Sequence, residues 1–328
     1  MAARVTWGCG NSRTEVRPTK KVIVTGGAGF IGSHLAEELA RRDYYVIILD
    51  NLSTGKMENV EELLKRGRVE FIEGSVTDLS LLQKLFQGVT HIFHEAAIPG
   101  VPQSVDSPQA SHETNITGTL NVLLSARDNG IKKVIYASSS SVYGDTPTLP
   151  KKEDMLPAPQ SPYAVTKLAG EYYCQVFHRV YGLPTVCLRY FNVYGSRQDL
   201  CSQYAAVIPG FIGKVFQGKS PIIFGDGEQT RDFTFVEDAA EATVLAAESN
   251  ASGIFNIGRG ENTSINQLAE LIIGLVGNSV DPIHEESRPG DIRHSLADIS
   301  RARAFGYEPK YSLEEGLRET IRSFQRET

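Results

Sequence analysis

The stretch VIVTGGAGFIG, residues 22–32, decides how this chain folds. It opens with a β-branched run typical of a buried strand and ends in three regularly spaced glycines, Gly26, Gly29 and Gly32. Helical periodicity follows at once in IGSHLAEELARR, residues 31–42. A strand, a glycine turn and a helix in this order predict the start of a βαβ unit.

The same alternation continues outward from this stretch to about residue 141. The strand-like runs are YYVIILD (44–50), VEFIEG (69–74), THIFHEAA (90–97) and VIYASSSS (134–141). The helical patterns between them are MENVEELLKR (57–66), DLSLLQKLF (78–86) and TNITGTLNVLLSARDNG (114–130). Apolar strands separated by helices predict an α/β fold with a doubly wound parallel sheet of the Rossmann type. Ligands of such folds bind at the carboxyl ends of the strands.

The chain divides into three predicted parts. Residues 1–20 lack periodicity and are expected to form a poorly ordered extension. Residues 21–191 form the doubly wound domain, and residues 192–328 form a smaller α/β lobe, in which 234–247 is expected to return to the main domain. Within this lobe the helical patterns are Val236–Glu248, Ser264–Val276 and Leu313–Phe324.

Composition excludes several classes of protein. The net charge of −6 over 328 residues disfavours a nucleic-acid binder, and no apolar run approaches the roughly 18 residues that span a bilayer. The four cysteines, Cys9, Cys174, Cys187 and Cys201, have no C-x-x-C spacing, which disfavours a disulfide framework and a structural zinc site. We therefore expect a reduced cytoplasmic protein that binds no metal, membrane or nucleic acid.

The glycine stretch also predicts a dinucleotide site. Gly26 allows the tight turn, Gly29 lets the backbone approach a pyrophosphate, and Gly32 lets the helix pack closely on the strand. Asp50 ends the second strand 24 residues after Gly26. A carboxylate there accepts hydrogen bonds from an adenosine ribose and repels a 2′-phosphate, which favours NAD over NADP.

A second candidate site lies in SPYAVTKLAGEYY, residues 161–173. Ser161 and Pro162 are typical of a helix start, and Tyr163 and Lys167 then lie on one helix face. A cation beside a phenol is expected to lower the phenol pKa, which makes Tyr163 a candidate base for a hydroxyl proton. The hydroxyls of residues 138–141 end a predicted strand, where substrates bind in this fold class.

Four motifs together carry a resemblance to a known family: TGGAGFIG (25–32), SSSSVYG (138–144), YAVTK (163–167) and LRYFNVYG (188–195). In this order and spacing they resemble the extended short-chain dehydrogenases/reductases, and most closely the nucleotide-sugar 4-epimerases of the UDP-N-acetylglucosamine 4-epimerase branch. The resemblance covers about residue 21 to the C-terminus.

The resemblance implies roles for individual residues. It makes Ser139, Tyr163 and Lys167 catalytic. The residues that it places against NAD are Gly26, Gly29, Phe30, Ile31, Gly32, Asp50, Asn51, Ser53, Thr54, Gly55, Ser75, Val76, Ala96, Ala97, Asn115, Ser138, Tyr163, Lys167 and Tyr190. The residues that it places against a UDP-sugar are Pro99, Gly100, Ser139, Ser140, Ser141, Tyr163, Asn192, Ala206, Val207, Arg231, Arg288, Asp291 and Ser295. Arginine suits a diphosphate because its planar fork binds two oxygens at once. Ser75 departs from the family, which usually has an acid near the adenine.

The implied reaction is a reversible oxidation at sugar C4 with tightly bound NAD. Related 4,6-dehydratases carry an Asp-Glu pair where this chain has Ser140 and Ser141, and serines are poor proton carriers at neutral pH. UDP-glucuronate 4-epimerases and decarboxylases need a cation for the sugar carboxylate, and the loop from Ala96 to Ser104 has none. These enzymes stay open as alternatives, because another loop can supply the cation. A dinucleotide-sensing scaffold would not need Tyr163.

Two finer expectations also follow from the resemblance. Ser295 stands where epimerases limited to non-acetylated sugars carry a tyrosine, so the chain is expected to accept UDP-GlcNAc and UDP-GalNAc as well as UDP-Glc and UDP-Gal. Helices Ser111–Asn129 and Tyr163–Tyr181 are expected to form a homodimer through a four-helix bundle, as in relatives.

Overall fold

The computed structural model describes residues 20–198, 206–287 and 292–327. Their strands are β1 Lys21–Thr25, β2 Tyr45–Asp50, β3 Val69–Glu73, β4 His91–His94, β5 Lys133–Ser139, β6 Thr185–Tyr190, β7 Val193–Tyr194, β8 Ile222–Phe224, β9 Thr230–Arg231, β10 Thr234–Phe235, β11 Gly253–Ile257, β12 Thr263–Ser264 and β13 Ile283–Glu285. Their α-helices are α1 Phe30–Arg41, α2 Glu61–Leu64, α3 Leu79–Leu85, α4 Val101–Asp106, α5 Pro108–His112, α6 Gly118–Asp128, α7 Pro162–Tyr181, α8 Val207–Phe216, α9 Val236–Glu248, α10 Ile265–Val276, α11 Ser300–Arg303 and α12 Leu313–Glu327. Short 3-10 turns at Met57–Asn59 and Ser140–Tyr143 and a π-helical turn at Glu113–Thr117 complete the described helical segments.

A parallel sheet of seven strands confirms the predicted doubly wound fold. Its order is β11-β6-β5-β4-β1-β2-β3, and every neighbouring pair runs parallel. The strand order reverses direction between β1 and β4. Such a switch point leaves a crevice at the carboxyl ends of the strands, where ligands bind in this fold class.

Alternate residues of each central strand are buried in opposite faces of the sheet. In β1, Val22 and Val24 pack with the core that includes α1 and α9, whereas Ile23 packs with the core that includes α3, α6 and α7. This two-sided burial explains why the strands read as continuous apolar runs.

The return of the chain to the main sheet extends further than 234–247. Helix α9 packs on α1, and β11 then joins the sheet edge beside β6. Small buried side chains such as Ala239, Ala242 and Ala246 allow this close helix packing. The segment 236–257, part of the predicted second lobe, therefore belongs structurally to the first. Strand β11 escaped the sequence analysis because the run GIFNI is short and begins with glycine.

The second lobe has its own apolar core. Ile212 of α8, Leu268 of α10 and Leu317 of α12 are fully buried together. A capping box between Ser264 and Gln267 fixes the start of α10. Among the described residues, no helix is both long and apolar enough to cross a membrane.

Candidate active site

Two neighbouring cavities lie at the carboxyl edge of the sheet. The first, of about 200 Å³, lies over the glycine turn and the ends of β1 and β2. The second, of about 700 Å³, lies between the main sheet and the second lobe. Both are lined by Phe30, Ile31, Ser138, Tyr163 and Tyr190. The two cavities therefore meet beside the predicted catalytic tyrosine.

The glycine turn at the first cavity requires its glycines. Gly26 has a φ of 68°, and a Cβ there would lie 2.7 Å from the backbone of Ala96. A Cβ on Gly32 would collide with the carbonyl oxygen of Gly26. The first turn of α1 lies in the cavity wall, and N–H groups of a first helical turn have no acceptor within their helix. This cradle fits an anionic pyrophosphate.

Asp50 ends β2 with its carboxylate in the first cavity. Its Oδ2 accepts a hydrogen bond from the N–H of Ala28 at 3.0 Å, and its Oδ1 accepts one from Leu52 at 2.8 Å. Each oxygen keeps a further lone pair for a ligand hydroxyl. Gly55 does not line the cavity but lies against this carboxylate, since a Cβ there would be 2.8 Å from Oδ2.

The other predicted cofactor residues fall into two groups. Those that line the first cavity are Gly26, Gly29, Phe30, Ile31, Gly32, Asn51, Ser53, Thr54, Ser75, Val76, Ala96, Ala97, Ser138, Lys167 and Tyr190. Asn115 does not line it. Its side chain is buried, and it bonds to the N–H and carbonyl of Ile98 and to the hydroxyl of Thr166. Asn115 therefore holds the loop after β4 to α7, while its neighbour Thr114 reaches the cavity wall.

The helix that carries Asn115 also differs from the prediction. A single helix was expected over 111–129, whereas the structure has α5, a π-helical turn at Glu113–Thr117 and α6. π-turns are frequent at functional sites, and this one lies where the Asn115 side chain bonds back to the cavity loop.

Helix α7 starts as predicted and brings the candidate catalytic groups together. The Ser161 hydroxyl accepts from the N–H of Ala164 at 3.1 Å, and Pro162 is the first helical residue. The phenol of Tyr163 interacts with the Ser139 side chain at the end of β5, and both lie in the wall of the second cavity. The Lys167 Nζ lies 5.8 Å from the centroid of the Tyr163 ring and donates to the carbonyl of Ala137 at 2.8 Å.

The expected lowering of the Tyr163 pKa was wrong for the protein groups alone. Burial raises the pKa of Tyr163 to about 12, although the hydrogen bond with Ser139 lowers it. Burial also lowers the pKa of Lys167 to about 8. The loss of solvent around the buried Lys167 and the partly buried Tyr163 therefore outweighs the lowering of the Tyr163 pKa that the sequence suggested.

A buried ion pair holds α7 against the sheet just below this site. Both oxygens of the Glu171 carboxylate accept from Arg189, at 2.8 and 2.7 Å, and Oε1 also accepts from the Ser138 hydroxyl at 2.5 Å. The two charged side chains are 0% and 1% exposed. Ser138 is thereby turned toward Glu171, which leaves the neighbouring Ser139 hydroxyl for Tyr163.

The second cavity contains most of the predicted substrate residues. Those in its wall are Gly100, Ser139, Ser140, Ser141, Tyr163, Asn192, Ala206, Val207, Arg231 and Ser295, whereas Pro99 lines the first cavity. The Asn192 amide donates to the carbonyl of Asp232 at 3.0 Å. Arg288 and Asp291 lie outside the described residues.

Sequence reasoning missed several residues in these walls. Glu95 lines the first cavity and accepts a hydrogen bond from Tyr190 at 3.1 Å. Gln229 lines the second, and its buried Oε1 has no hydrogen-bond partner among the described residues. The position of Glu95 directly after β4 was a usable signal, because side chains at strand ends face the crevice.

No group of three potential metal ligands occurs among the described residues. His94, the most buried histidine near the site, bonds through its two ring nitrogens to Thr25 and Thr119 at 2.7 and 2.8 Å. These two bonds hold the His94 ring between the end of β1 and α6.

Comparisons with known proteins fit this geometry. A family described as the NAD dependent epimerase/dehydratase family matches residues 22–258. The putative UDP-glucose 4-epimerase of Methanocaldococcus jannaschii is 40% identical over 302 residues, 92% of this chain and 97% of that protein. The UDP-N-acetyl-alpha-D-glucosaminuronate decarboxylase of Bacillus cytotoxicus is also 40% identical, over 319 residues, 93% of this chain and 98% of that protein.

Solved structures are similar over nearly the whole chain. A UDP-N-acetylglucosamine 4-epimerase from Methanobrevibacter ruminantium, in complex with UDP-N-acetylmuramic acid, has a TM-score of 0.92 and 44% identity, covering 95% of this chain and 100% of its own. The UDP-glucose 4-epimerase of Thermus thermophilus in complex with NAD has a TM-score of 0.85 and 37% identity, covering 93% of this chain and 99% of its own.

Proposed function

This chain belongs to the NAD-dependent epimerase/dehydratase family, and within that family we propose that it epimerises UDP-sugars at C4. The family uses NAD, which when bound takes up and returns a hydride. The observation that carries the proposal is the meeting of Tyr163, Ser139 and Lys167 where the two cavities join.

The proposed roles of these residues follow from their positions. Tyr163 accepts and returns the proton of the sugar hydroxyl. Ser139 interacts with the phenol and, from that position, binds the same sugar hydroxyl. Lys167 supplies a positive charge beside the phenol and is held by the carbonyl of Ala137. The glycine cradle and Asp50 hold the dinucleotide at the other end of the first cavity.

Two features support C4 epimerisation of a UDP-hexose, acetylated or not, over dehydration. Ser140 and Ser141 lie in the wall of the second cavity, where a dehydratase would need acid and base groups. Ser295 is small and lines the same cavity, which leaves volume for an N-acetyl group. We therefore propose UDP-GlcNAc and UDP-GalNAc, together with UDP-Glc and UDP-Gal.

We also propose that two copies associate through α7 in a four-helix bundle. Val165, Tyr172, Val176 and Val180 recur at helical spacing along one face of α7 and are each at least 50% exposed. Such a stripe of apolar side chains is typical of a covered helix face. Light scattering at micromolar concentration tests this, and a monomeric mass would contradict it.

Nucleotide-sugar chemistry and the free thiols Cys174 and Cys187 support a cytoplasmic location.

The test of the reaction offers the purified protein UDP-GlcNAc, UDP-GalNAc, UDP-Glc and UDP-Gal without added cofactor. Separation of the products by anion-exchange chromatography should show interconversion within the acetylated pair and within the non-acetylated pair. Tyr163→Phe is the matched control, because it removes one oxygen from the site. Activity only on UDP-glucuronate or on dTDP-glucose would instead support a carboxylate-sugar enzyme or a dehydratase, and no activity with NAD bound would support a scaffold.

A further inference from the structure

The loop after β4 brings a carboxylate into the first cavity that the proposed reaction does not use. The N–H of Glu95 donates to the carbonyl of Thr25 at 3.1 Å, so the pairing of β4 with β1 extends one residue into the crevice. Glu95 therefore lies in the same cavity wall as Tyr163 and Lys167. The charge of a carboxylate in this wall acts on both the cation and the phenol.

A short chain of hydroxyl groups connects Glu95 to the backbone of α9. The Tyr190 hydroxyl bonds to Glu95 Oε1 at 3.1 Å and contacts the Thr243 hydroxyl at 2.7 Å, and Thr243 donates to the carbonyl of Ala239 at 2.7 Å. These three contacts need three protons. Tyr190 and Thr243 supply one proton each, and a neutral Glu95 supplies the third by donating to Tyr190. An ionised Glu95 accepts from Tyr190 instead, and one of the three contacts then has no proton.

This arrangement accommodates both charge states of Glu95. When Glu95 is ionised, Tyr190 points its proton at the carboxylate, and Thr243 is able to donate to Tyr190 in turn. When Glu95 is neutral, its carboxyl donates to Tyr190, Tyr190 donates to Thr243, and Thr243 donates to the Ala239 carbonyl. The chain reverses without any side chain having to move, because hydroxyl protons rotate freely.

The titratable groups that face Glu95 are Lys167 and Tyr163 of α7 and Tyr190 of β6. Burial raises the pKa of Glu95 to about 7, although Lys167 and the hydrogen bond from Tyr190 lower it. In return the charge of Glu95 raises the pKa of Lys167, which burial holds at about 8. The same charge raises the pKa of Tyr163 and so disfavours its ionised form.

We propose that Glu95 is a positioning residue, a protonatable counter-ion that keeps Lys167 charged and sets the pH range in which Tyr163 acts as a base. This inference rests on the proposed function, because it assigns Glu95 a role in the same reaction. Glu95 acts through Lys167 and Tyr163 and does not itself contact the sugar, since the second cavity is lined by other residues.

The kinetic test compares the pH dependence of kcat in the native enzyme with that of Glu95→Gln, which has the same shape without the charge. Both the acidic and the alkaline limb should move to lower pH by about one unit, since Tyr163 ionises more easily and Lys167 loses its proton more easily. The KM for the UDP-sugar should not change. Glu95→Asp keeps the charge and should restore both limbs toward their native positions.

Glu153→Gln is the control for loss of a carboxylate whose pKa is also raised by the fold. Glu153 is 8% exposed and accepts from the N–H of Asn256 at 2.8 Å, away from both cavities. Its glutamine variant keeps an acceptor oxygen and should leave both limbs in place. If Glu95→Gln also leaves them in place while turnover is otherwise normal, the inference is wrong and the proposed reaction stands.

A second measurement reads the charge of Glu95 without any turnover. A carboxyl whose pKa is raised from 4.5 to about 7 by folding binds its proton more tightly in the folded state, so its contribution to stability falls as pH rises through that range. The Tm of Glu95→Gln minus that of the native protein should therefore increase between pH 5 and pH 8. Glu153→Gln should show the same trend, because burial also raises the pKa of Glu153, but no kinetic shift.

These two measurements separate the possible failures. Absence of turnover on every UDP-sugar would overturn the proposed function and, with it, the role assigned to Glu95. A Tm difference that stays flat from pH 5 to pH 8 would overturn the protonatable counter-ion even in an active enzyme.

Discussion

Replacing Glu171 by glutamine tests how the helix that carries Tyr163 is held against the sheet. Glu171 makes three charge-assisted hydrogen bonds, two to Arg189 and one to Ser138, and no part of its side chain is exposed. The amide keeps one acceptor oxygen but no charge. The Arg189 guanidinium then stays buried without a counter-ion, and its Nη1 already lacks a partner among the described residues.

The magnitude follows from this burial. Breaking a buried ion pair by removing one partner costs about 3–5 kcal/mol, which corresponds to a fall in Tm of roughly 4–7 °C for a chain of 328 residues. The double variant with methionine at Glu171 and Arg189 should recover most of this loss, because no unpaired charge remains. By contrast, Glu314→Gln breaks the exposed pair with Arg318 and should cost less than about 1 kcal/mol.

Urea denaturation followed by circular dichroism measures all three differences. The reasoning fails if Glu171→Gln loses less than about 1 kcal/mol, the range of an exposed pair. It also fails if the double variant is no more stable than Glu171→Gln, because the loss would then come from packing rather than from an unpaired charge.

Three further outcomes follow from the site. Ser295→Tyr should lower kcat/KM for UDP-GlcNAc far more than for UDP-Glc, because a ring at this buried position fills the space for the acetyl group; equal losses on both sugars would contradict the assignment. Tyr163→Phe should lower kcat by about 10²–10⁴-fold while the protein still releases NAD on denaturation, measured by absorbance; a smaller loss would remove Tyr163 as the base. Gly32→Ala should lose bound NAD, since its Cβ would collide with the Gly26 carbonyl, whereas Gly210→Ala in α8, where a Cβ meets nothing within 4 Å, should retain it.

The main sheet was predictable because its strands are apolar on both faces and its helices have clear periodicity. Val22–Val24 reads as a buried run, and it is buried on both sides. Strand β11 was not predictable in the same way. Its five residues include Gly253 and Asn256, and the buried Asn256 amide donates to the carbonyls of Lys151 and Asp298 and accepts from Tyr143. Those partners lie more than 40 residues away, which local patterns cannot show.

The residues of the site also divide into those that local patterns predict and those that depend on distant contacts. Asp50, Ser139 and Tyr163 stand at strand ends or a helix start, so their position in the chain already predicts that they face the crevice. Asn115 carries the right chemistry for a cofactor contact, but its amide is used by Ile98 and Thr166. Which polar groups satisfy one another inside the fold depends on tertiary contacts, and the sequence contains that information only indirectly.

The pKa of Tyr163 shows where reasoning from local sequence predicts a shift in the wrong direction. The sequence places a cation one helical turn from a phenol, and in water that pairing would favour the ionised form. The fold buries Lys167, partly buries Tyr163 and adds the charge of Glu95, and the pKa of the phenol is raised to about 12. The protein groups alone therefore keep Tyr163 protonated at neutral pH. The missing stabilisation is a positive charge beside the ring, which is what an oxidised nicotinamide carries. Under the proposed function, a bound oxidised nicotinamide would supply that charge, so that Tyr163 would act as a base while the cofactor is oxidised and as a proton donor once it is reduced.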